Sequence, residues 1–477
     1  MTNPEIDIVI VGAGPVGLMC AHLANLSGLK AVALDKSTGP IDVGRADALN
    51  ARTLQLFEVA KLFDEVYPLG KPCNTSSTWE NGAFTSRQSS WWDDLEGCFH
   101  KHFLMIGQSY VEKILAKRLE RSANPVRRSN EVRSVEVTDD GCLTHLANGE
   151  SIRSKYVIAA DGSRSKIREE FRIPFQITRP QIIWAVVDGV LETDFPKVPE
   201  IIVFQSTTSD VAWIPRERNI DRFYVRMDTK SFTFDDVLSK INRAVSPHRI
   251  SFETIEWQSQ FSVKESVAES FSVQNRIFFA GDACHIHSVN GGQGLNTGLA
   301  DAFNLIWKLS MVEKHGASKS LLGTYESERK PVAISVIETS GELVRSTKHS
   351  DSGTHAQDYV KIVQKRAGNI TGMGVRYGDQ GLVGTRLHDI SIRRKSTNFR
   401  LYSLLDYSKY TLLVFGQQET DSLARYPNMN VIRISTTRHD TDLWTEDKRY
   451  LNASILVRPD AYIEAITTDE DSQLCET

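Results

Sequence analysis

The sequence predicts an α/β protein built around a discontinuous Rossmann-like unit, with a mostly antiparallel sheet inserted into it and a further α/β region at the C-terminal end. Three observations lead there. The amino terminus reads strand, glycine turn, helix, strand. Two later apolar strands, starting near residues 156 and 277, stop at an Asp-Gly and a Gly-Asp pair. Between them lies a strand-rich stretch broken by Pro, Asp and Asn, the pattern of a separate, largely antiparallel lobe.

The first element is "IDIVIVGAGPVGLMCAHLANLSGLKAVALDK". Ile8, Val9, Ile10 and Val11 make a continuous apolar run, as expected of a strand covered on both faces. Gly12, Gly14 and Gly17 match G-x-G-x-x-G. The first allows a tight turn, the second a close approach of pyrophosphate to backbone, the third close packing of helix on strand. The helix that follows offers unpaired N–H groups to phosphate. The next strand ends in Asp35, where a carboxylate can accept hydrogen bonds from a ribose diol, and Lys36 beside it is a second candidate contact. This segment suits FAD and NAD equally.

The second element, "KYVIAADGSRSKIREEF", carries a strand from Tyr156 to Ala160 that stops at Asp161-Gly162. The third, "IFFAGDACHIHSVNGGQGLNTGLADAF", runs from strand to Gly281-Asp282, a glycine-rich loop and a helix with Leu299, Ala302, Phe303 and Ile306 on one face. Its acid, cysteine and two histidines admit three readings: a metal site, a Cys–His pair, or a cofactor wall. Zinc wants three or four ligands at workable spacing. His285 and His287 are expected to diverge in an extended loop, and Cys284 has no second thiol nearby, so no metal is expected.

Together the three segments resemble the class A FAD-dependent aromatic hydroxylases, the family of para-hydroxybenzoate hydroxylase and phenol hydroxylase. The resemblance implies FAD held by the first motif through its ADP part, by Asp161 of the Asp-Gly motif, and by Gly281 and Asp282, with Asp282 on the ribityl chain. It also implies that Gly292, Gly294, Leu295 and Asn296 of "NGGQGLNTG" line the isoalloxazine. Arg45 in "GRADALNARTLQLFEVAKL" and Gln108 at the start of an amphipathic helix match further family contacts to the flavin.

The inserted lobe includes "IIWAVVDGVLET", "EIIVFQSTT" and the hairpin "WIPRERNIDRFYVRM" with its turn near Glu217 to Asn219. Trp79, Trp91 and Trp92 are candidates to line an aromatic cavity or simply to pack. Arg216 and Tyr224 lie eight apart on the hairpin arms. The resemblance pairs them with Asp47 around substrate and flavin, although Ala48 stands where the family often has glycine. The plainer readings are that Asp47 caps a helix and that the Arg222, Tyr224, Arg226 face of the strand is solvent surface.

The expected organisation is an FAD-binding domain at 1–77, 103–175 and 265–345, a substrate domain at 78–102 and 176–264, and a helical or linker region at 346–383. Residues 384–477 resemble the thioredoxin-like domain appended to phenol-hydroxylase-type enzymes, without the CxxC that thiol exchange needs. Its role is then packing, lid support or a homodimer contact. The acidic tail is expected to fray.

Bulk properties agree. With 477 residues, a net charge of −4 and no basic cluster, the chain is not expected to bind nucleic acid. No run of about 18 apolar residues occurs, so no stable membrane insertion is expected. Six scattered cysteines fit a reducing, cytoplasmic setting.

The function these readings imply is NAD(P)H- and O2-dependent hydroxylation of a small phenolic or polyketide-type aromatic substrate through a flavin C4a-hydroperoxide. Tyr224, with Asp47 or a water as relay, would carry the phenol proton, and Arg216 would hold the developing anion or gate the flavin. The alternatives are Baeyer–Villiger oxidation or epoxidation by the same cofactor, a flavin reductase, and a non-enzymatic flavin-fold binding protein resembling the Rab GDP-dissociation inhibitors.

Overall fold

Strand Ile6–Val11 sits inside an eight-stranded sheet, paired in parallel with Ala31–Leu34 on one side and Ser151–Ala159 on the other. Ser151–Ala159 pairs in parallel with Ile277–Phe279. Register places Val11 beside Ala159 and Ala159 beside Phe279. The three motifs therefore leave the sheet side by side at one edge, the carboxyl ends of parallel strands where open α/β sheets bind ligands. A computed structural model of the chain describes residues 6–177, 182–205, 211–263, 265–287, 292–346, 356–378, 381–416, 429–437 and 442–468.

The strand cores are buried on both faces, as their unbroken apolar runs require. Helix Pro15–Leu26 begins directly after the glycine turn and packs against the long helix Gln293–His315. Gly298 makes that approach possible, and Gly17 lets the first helix sit on its own turn. A Cβ on Gly17 would fall 1.9 Å from the Gly12 carbonyl oxygen, and one on Gly298 would fall 2.7 Å from Val16 Cγ2.

The inserted lobe is a seven-stranded sheet in the order Ile250–Val263, Ile182–Thr193, Asp221–Met227, Val211–Pro215, Ile201–Gln205, Thr75–Glu80, Ala83–Ser89. Every pairing is antiparallel except Ile201–Gln205 with Thr75–Glu80. Strand Thr75–Glu80 starts three residues ahead of the expected boundary at 78.

Alternation gives this sheet two different faces. Ala185, Val187, Trp213, Phe223 and Val225 pack with Val237, Ile241 and Val245 of helix Phe234–Val245. A capping box between Thr233 and Asp236 starts that helix, an arrangement worth about 1 kcal/mol. Trp184, Asp188, Arg222 and Tyr224 occupy the opposite face. Arg222 is 1% exposed, so that face is interior at this point and not solvent surface.

Near the C-terminus a four-stranded sheet runs Met429–Ile434, Tyr410–Phe415, Ala453–Val457, Ile463–Thr468, with the first pair parallel and the rest antiparallel. Polar side chains fasten it to helices Ala51–Val59 and Ser320–Ser346. Arg52 donates to the Tyr402 hydroxyl at 2.7 Å and the Asp460 carbonyl at 2.8 Å, and Arg458 makes two 2.9 Å bonds to Glu328. Burial pushes the neighbouring Lys308 down to about 8. Residues 347–355 and 379–380 of the expected linker, Asn290 and Gly291, and the acidic tail from 469 lie outside the described residues.

Candidate active site

The glycines of the first turn divide by what would crowd them. Gly12 has φ +99°, and a Cβ there would lie 2.4 Å from the Ala160 carbonyl oxygen. Like Gly17, it is required by protein packing. A Cβ on Gly14 would meet nothing within 4 Å. The space in front of Gly14 lies at the N-terminal end of helix Pro15–Leu26, where backbone N–H groups favour an anion. At present Asp35 accepts the Ala13 N–H at 2.6 Å and the Ser37 N–H at 2.7 Å, bending over this turn, while Lys36 is exposed.

The second and third motifs add polar groups beside that space. One oxygen of Asp161, Oδ1, is buried without a partner, and desolvation raises its carboxyl above the usual range. Asp282 is open to solvent-sized space, yet enclosure by surrounding protein raises its carboxyl too, opposed by His285 and Arg45. Asp282 directly follows strand Ile277–Phe279, at the sheet edge where the three motifs end and open α/β sheets form their ligand cleft. Arg45, exposed at φ +66°, acts on Asp282 across this cleft. An open phosphate turn, an orphaned buried carboxylate oxygen and an acid–arginine pair suit the pyrophosphate and sugar chain of FAD.

Around the cleft, Gln108 starts helix Gln108–Leu119 and packs against the loop before Asp47. Its N–H donates to the Ala46 carbonyl at 2.9 Å, and its Oε1 accepts the Ala46 N–H at 3.4 Å. Gly292, at φ +60°, caps the 23-residue helix Gln293–His315. Gly294 leaves room beside His287, and Leu295 is buried. Asn296 is directed into the protein. Its Oδ1 accepts from Asn50 N (2.9 Å) and Thr53 Oγ1 (2.7 Å), while Nδ2 donates to the Ala48 and Gly292 carbonyls. It braces the helix start against the segment after Asp47.

The histidine-rich turn is a packing device. His285 and His287 do not diverge as expected; their rings lie nearly parallel, 6.4 Å apart. His285 Nε2 lies 2.7 Å from Asp301 Oδ2, Arg329 Nε lies 2.7 Å from Oδ1, and the Gly281 N–H donates to Oδ2 at 3.0 Å. Cys284, His285 and Asp301 bring ligand atoms within 4.8 Å of one another. The Arg329 guanidinium on Asp301 makes that cluster a poor cation site, and desolvation raises the Cys284 thiol well above its usual range, leaving it inert as a nucleophile. Asp301 and Arg329 were missed in the sequence. A buried acid on an otherwise apolar helix face was the available signal.

On the seven-stranded sheet, Tyr224 donates to Asp47 Oδ2 at 3.2 Å. Arg222 Nη1 lies 3.2 Å from both Asp47 Oδ2 and the Tyr224 oxygen, and it also donates to the Arg45 carbonyl. Asp188 holds Arg222 through bonds of 2.6 and 2.7 Å. Arg216 reaches the same Asp188 at 3.2 Å and is otherwise clamped by Glu217 at 2.9 and 2.7 Å. Thus Asp47 and Tyr224 meet directly, and Arg216 joins them only through Asp188 and Arg222. Burial, and then Asp47, raise the Tyr224 phenol above its ordinary range, with Arg222 opposing.

Asp47 and Tyr224 close the polar end of a cavity of about 200 Å³. Trp91 and Trp92 line it, whereas Trp79 packs on Phe195 and Phe84 elsewhere. Trp184, edge-on to Tyr224, also lines it, and its indole N–H is buried without a partner. Gly292 forms part of the wall, so the cavity reaches the N-terminal end of the long helix.

Residues 5–340 match the family model described as an FAD binding domain. The chain is 31% identical over 396 residues to a phenol 2-monooxygenase from Aspergillus fumigatus, covering 79% of this chain and 66% of that protein. It is 27% identical over 444 residues to a 3-hydroxybenzoate 4-monooxygenase from Comamonas testosteroni, covering 84% and 70%. The chain thus spans about two thirds of the length of these relatives. Its fold is similar to that of an anhydrotetracycline hydroxylase from Streptomyces rimosus, with a TM-score of 0.81, 24% identity and coverage of 98% and 96%.

Proposed function

The chain belongs to the FAD-binding-domain family of class A flavin aromatic hydroxylases, and from that membership we propose that it hydroxylates a phenolic ring, with NAD(P)H as reductant and O2 as oxidant. The observation that carries this reading is the contact of Asp47 with Tyr224 at the polar end of an aromatic-walled cavity that reaches Gly292. Gly14, Asp161, Gly281, Asp282 and Arg45 would hold FAD, which supplies reducing equivalents and oxygen activation when bound.

The chain's own residues then orient the ring and manage its proton. A phenolate is far more electron-rich than a phenol, so the substrate hydroxyl needs an acceptor. Tyr224 donates to Asp47, which leaves a lone pair on the tyrosine oxygen for the substrate O–H. Passing that proton to Tyr224 while Tyr224 passes its own to Asp47 moves the negative charge from Asp47 to the ring oxygen. Because its phenol is held above the ordinary range, Tyr224 is a relay and not a store of charge. Arg222, within reach of both Asp47 and Tyr224, stabilises either distribution. Arg216 is a positioning residue, acting on Arg222 through Asp188.

Trp91, Trp92 and Phe103 screen the ring from water. The described cysteines are buried free thiols, which supports a reducing, cytoplasmic setting, and no helix among the described residues is long and apolar enough to cross a membrane. The sheet of Tyr410–Phe415 and its neighbours, one parallel pair beside two antiparallel ones, supports a thioredoxin-like C-terminal domain that buttresses the cofactor side. Incubating the FAD-loaded protein with NAD(P)H, isotopically labelled O2 and a panel of phenols tests the function. One labelled oxygen atom in a ring-hydroxylated product is expected. Nucleotide oxidation that yields only hydrogen peroxide across the panel would refute it.

A further inference from the structure

The cavity closed by Asp47 and Tyr224 is small, and the charged residue among those that line it is a carboxylate, Asp47. Its volume is about 200 Å³, while a dry apolar cavity of about 150 Å³ holds benzene. One substituted ring or two fused rings would fill it. Its walls are mostly apolar, with Trp91, Trp92, Phe103, Ile201, Val203 and Val363 among them, and Asn74, Thr75 and Ser76 are the neutral polar residues of the lining besides Tyr224.

Behind Asp47, the carboxylates Asp188 and Glu217 hold the guanidiniums of Arg216 and Arg222, and Arg222 also reaches Asp47. The guanidinium nitrogens are committed. Arg222 Nε and Nη2 donate to Asp188, and its Nη1 is shared among Asp47, Tyr224 and the Arg45 carbonyl. Arg216 Nε and Nη2 donate to Glu217, and its Nη1 to Asp188. A ligand carboxylate entering here adds a negative charge beside Asp47 and finds both guanidiniums already engaged. A phenol differs: ionising it onto Asp47 through Tyr224 leaves the total charge of the site unchanged.

Resting on the hydroxylation reading, we propose that the substrates are uncharged hydroxyarenes of one or two rings, and that hydroxyarene carboxylates are rejected by charge and not by size. The site selects by repulsion as much as by fit.

The test uses ligands of nearly one shape. 3-Hydroxybenzyl alcohol, 3-hydroxybenzamide and 3-hydroxybenzoate are titrated into the FAD holoenzyme at neutral pH, with binding read from the flavin absorption spectrum. The alcohol and the amide should bind within about tenfold of each other, and the benzoate about 100-fold more weakly than the amide. In Asp47→Asn, read by binding alone, the gap between benzoate and amide should shrink by about tenfold. Equal binding of benzoate and amide to the unaltered protein overturns the charge assignment, as does failure of both neutral ligands to bind. 2-Naphthol should bind, and a four-ring hydroxyarene binding as tightly would overturn the size limit. Failure of the hydroxylation reading has a separate signature: the binding order holds, but no oxygen from labelled O2 enters any of these ligands.

Discussion

The hydroxyl of Tyr224 donates to Asp47 Oδ2 across 3.2 Å, joining two residues 177 apart in the chain. One belongs to the seven-stranded sheet, the other to the loop held against the start of the Gln108 helix. The two lobes thus meet at the polar end of the cavity, through this bond and through Arg222, which reaches both Asp47 and the Arg45 carbonyl. Asp47→Asn keeps the shape and removes the proton acceptor. Ring hydroxylation should slow by about 100-fold or more, and Tyr224→Phe should slow it by about 10- to 100-fold, with FAD retained in both. Steady-state turnover of a phenol with parallel flavin quantification checks this, and an unimpaired Asp47→Asn would send the proton elsewhere.

Two glycine substitutions in the first turn separate packing from ligand binding. Gly17→Ala drives a methyl group into the Gly12 carbonyl and should lower unfolding stability by at least about 1–3 kcal/mol. Gly14→Ala meets no protein atom within 4 Å and its φ of −75° suits alanine. Its melting temperature should match the unaltered protein, while FAD affinity falls by about tenfold or more. Thermal melting of the apo form and flavin titration read the two effects separately.

At the junction with the C-terminal region, Glu58 lies against His100 and Arg400, and burial outweighs the pull of Arg400 to push its carboxyl up to about 7. Asp389 is likewise pushed up to about 7, by burial and then by Glu58. Both carboxyls have raised values in the folded chain, so their contribution is full below the ordinary carboxylate range and is lost as pH rises through about 7. The loss should be on the order of 1–3 kcal/mol. Unfolding midpoints should fall between about pH 5 and about pH 8, with a shallower fall in Glu58→Gln. A pH-independent difference between the two proteins would contradict this.

Asn74 holds the tryptophan turn. Its carbonyl accepts the Trp91 N–H at 3.3 Å, its Oδ1 accepts the Trp92 N–H at 3.2 Å, and its Nδ2 donates to Asp93 at 3.2 Å. Asn74→Ala keeps only the backbone bond. KM for a phenol should rise several-fold with kcat little changed, and stability should fall by only about 1 kcal/mol. A fall in kcat at constant KM would mean that the turn acts in the chemical step.

The parts of this protein legible in its sequence are those governed by local rules. The run Ile8–Val11, the turn at Gly12, Gly14 and Gly17, and the strands stopping at Asp161 and Gly281 each follow from backbone sterics or from apolar periodicity within about ten residues. The hairpin turn at Glu217 to Asn219 was legible for the same reason. What depends on partners from distant segments was not. Alternation put Arg222 on the face of Tyr224, but only the folded chain brings up Asp188 and Asp47 to bury it. Asn296 has the composition of a ligand contact, yet four protein bonds from separate segments use its amide. Trp79 and Trp92 look alike in sequence, and the sheet sends one to a packing cluster and the other to the cavity.

The most direct measurement is the FAD content of the purified protein beside that of Asp282→Ala, whose side chain faces the cleft between the three motifs. The unaltered chain should carry about one FAD per chain, and Asp282→Ala should bind it about tenfold or more weakly while melting at the same temperature as an apo protein. An unaltered chain that takes up no FAD, or an Asp282→Ala variant that holds it equally tightly, would contradict the assignment of this cleft.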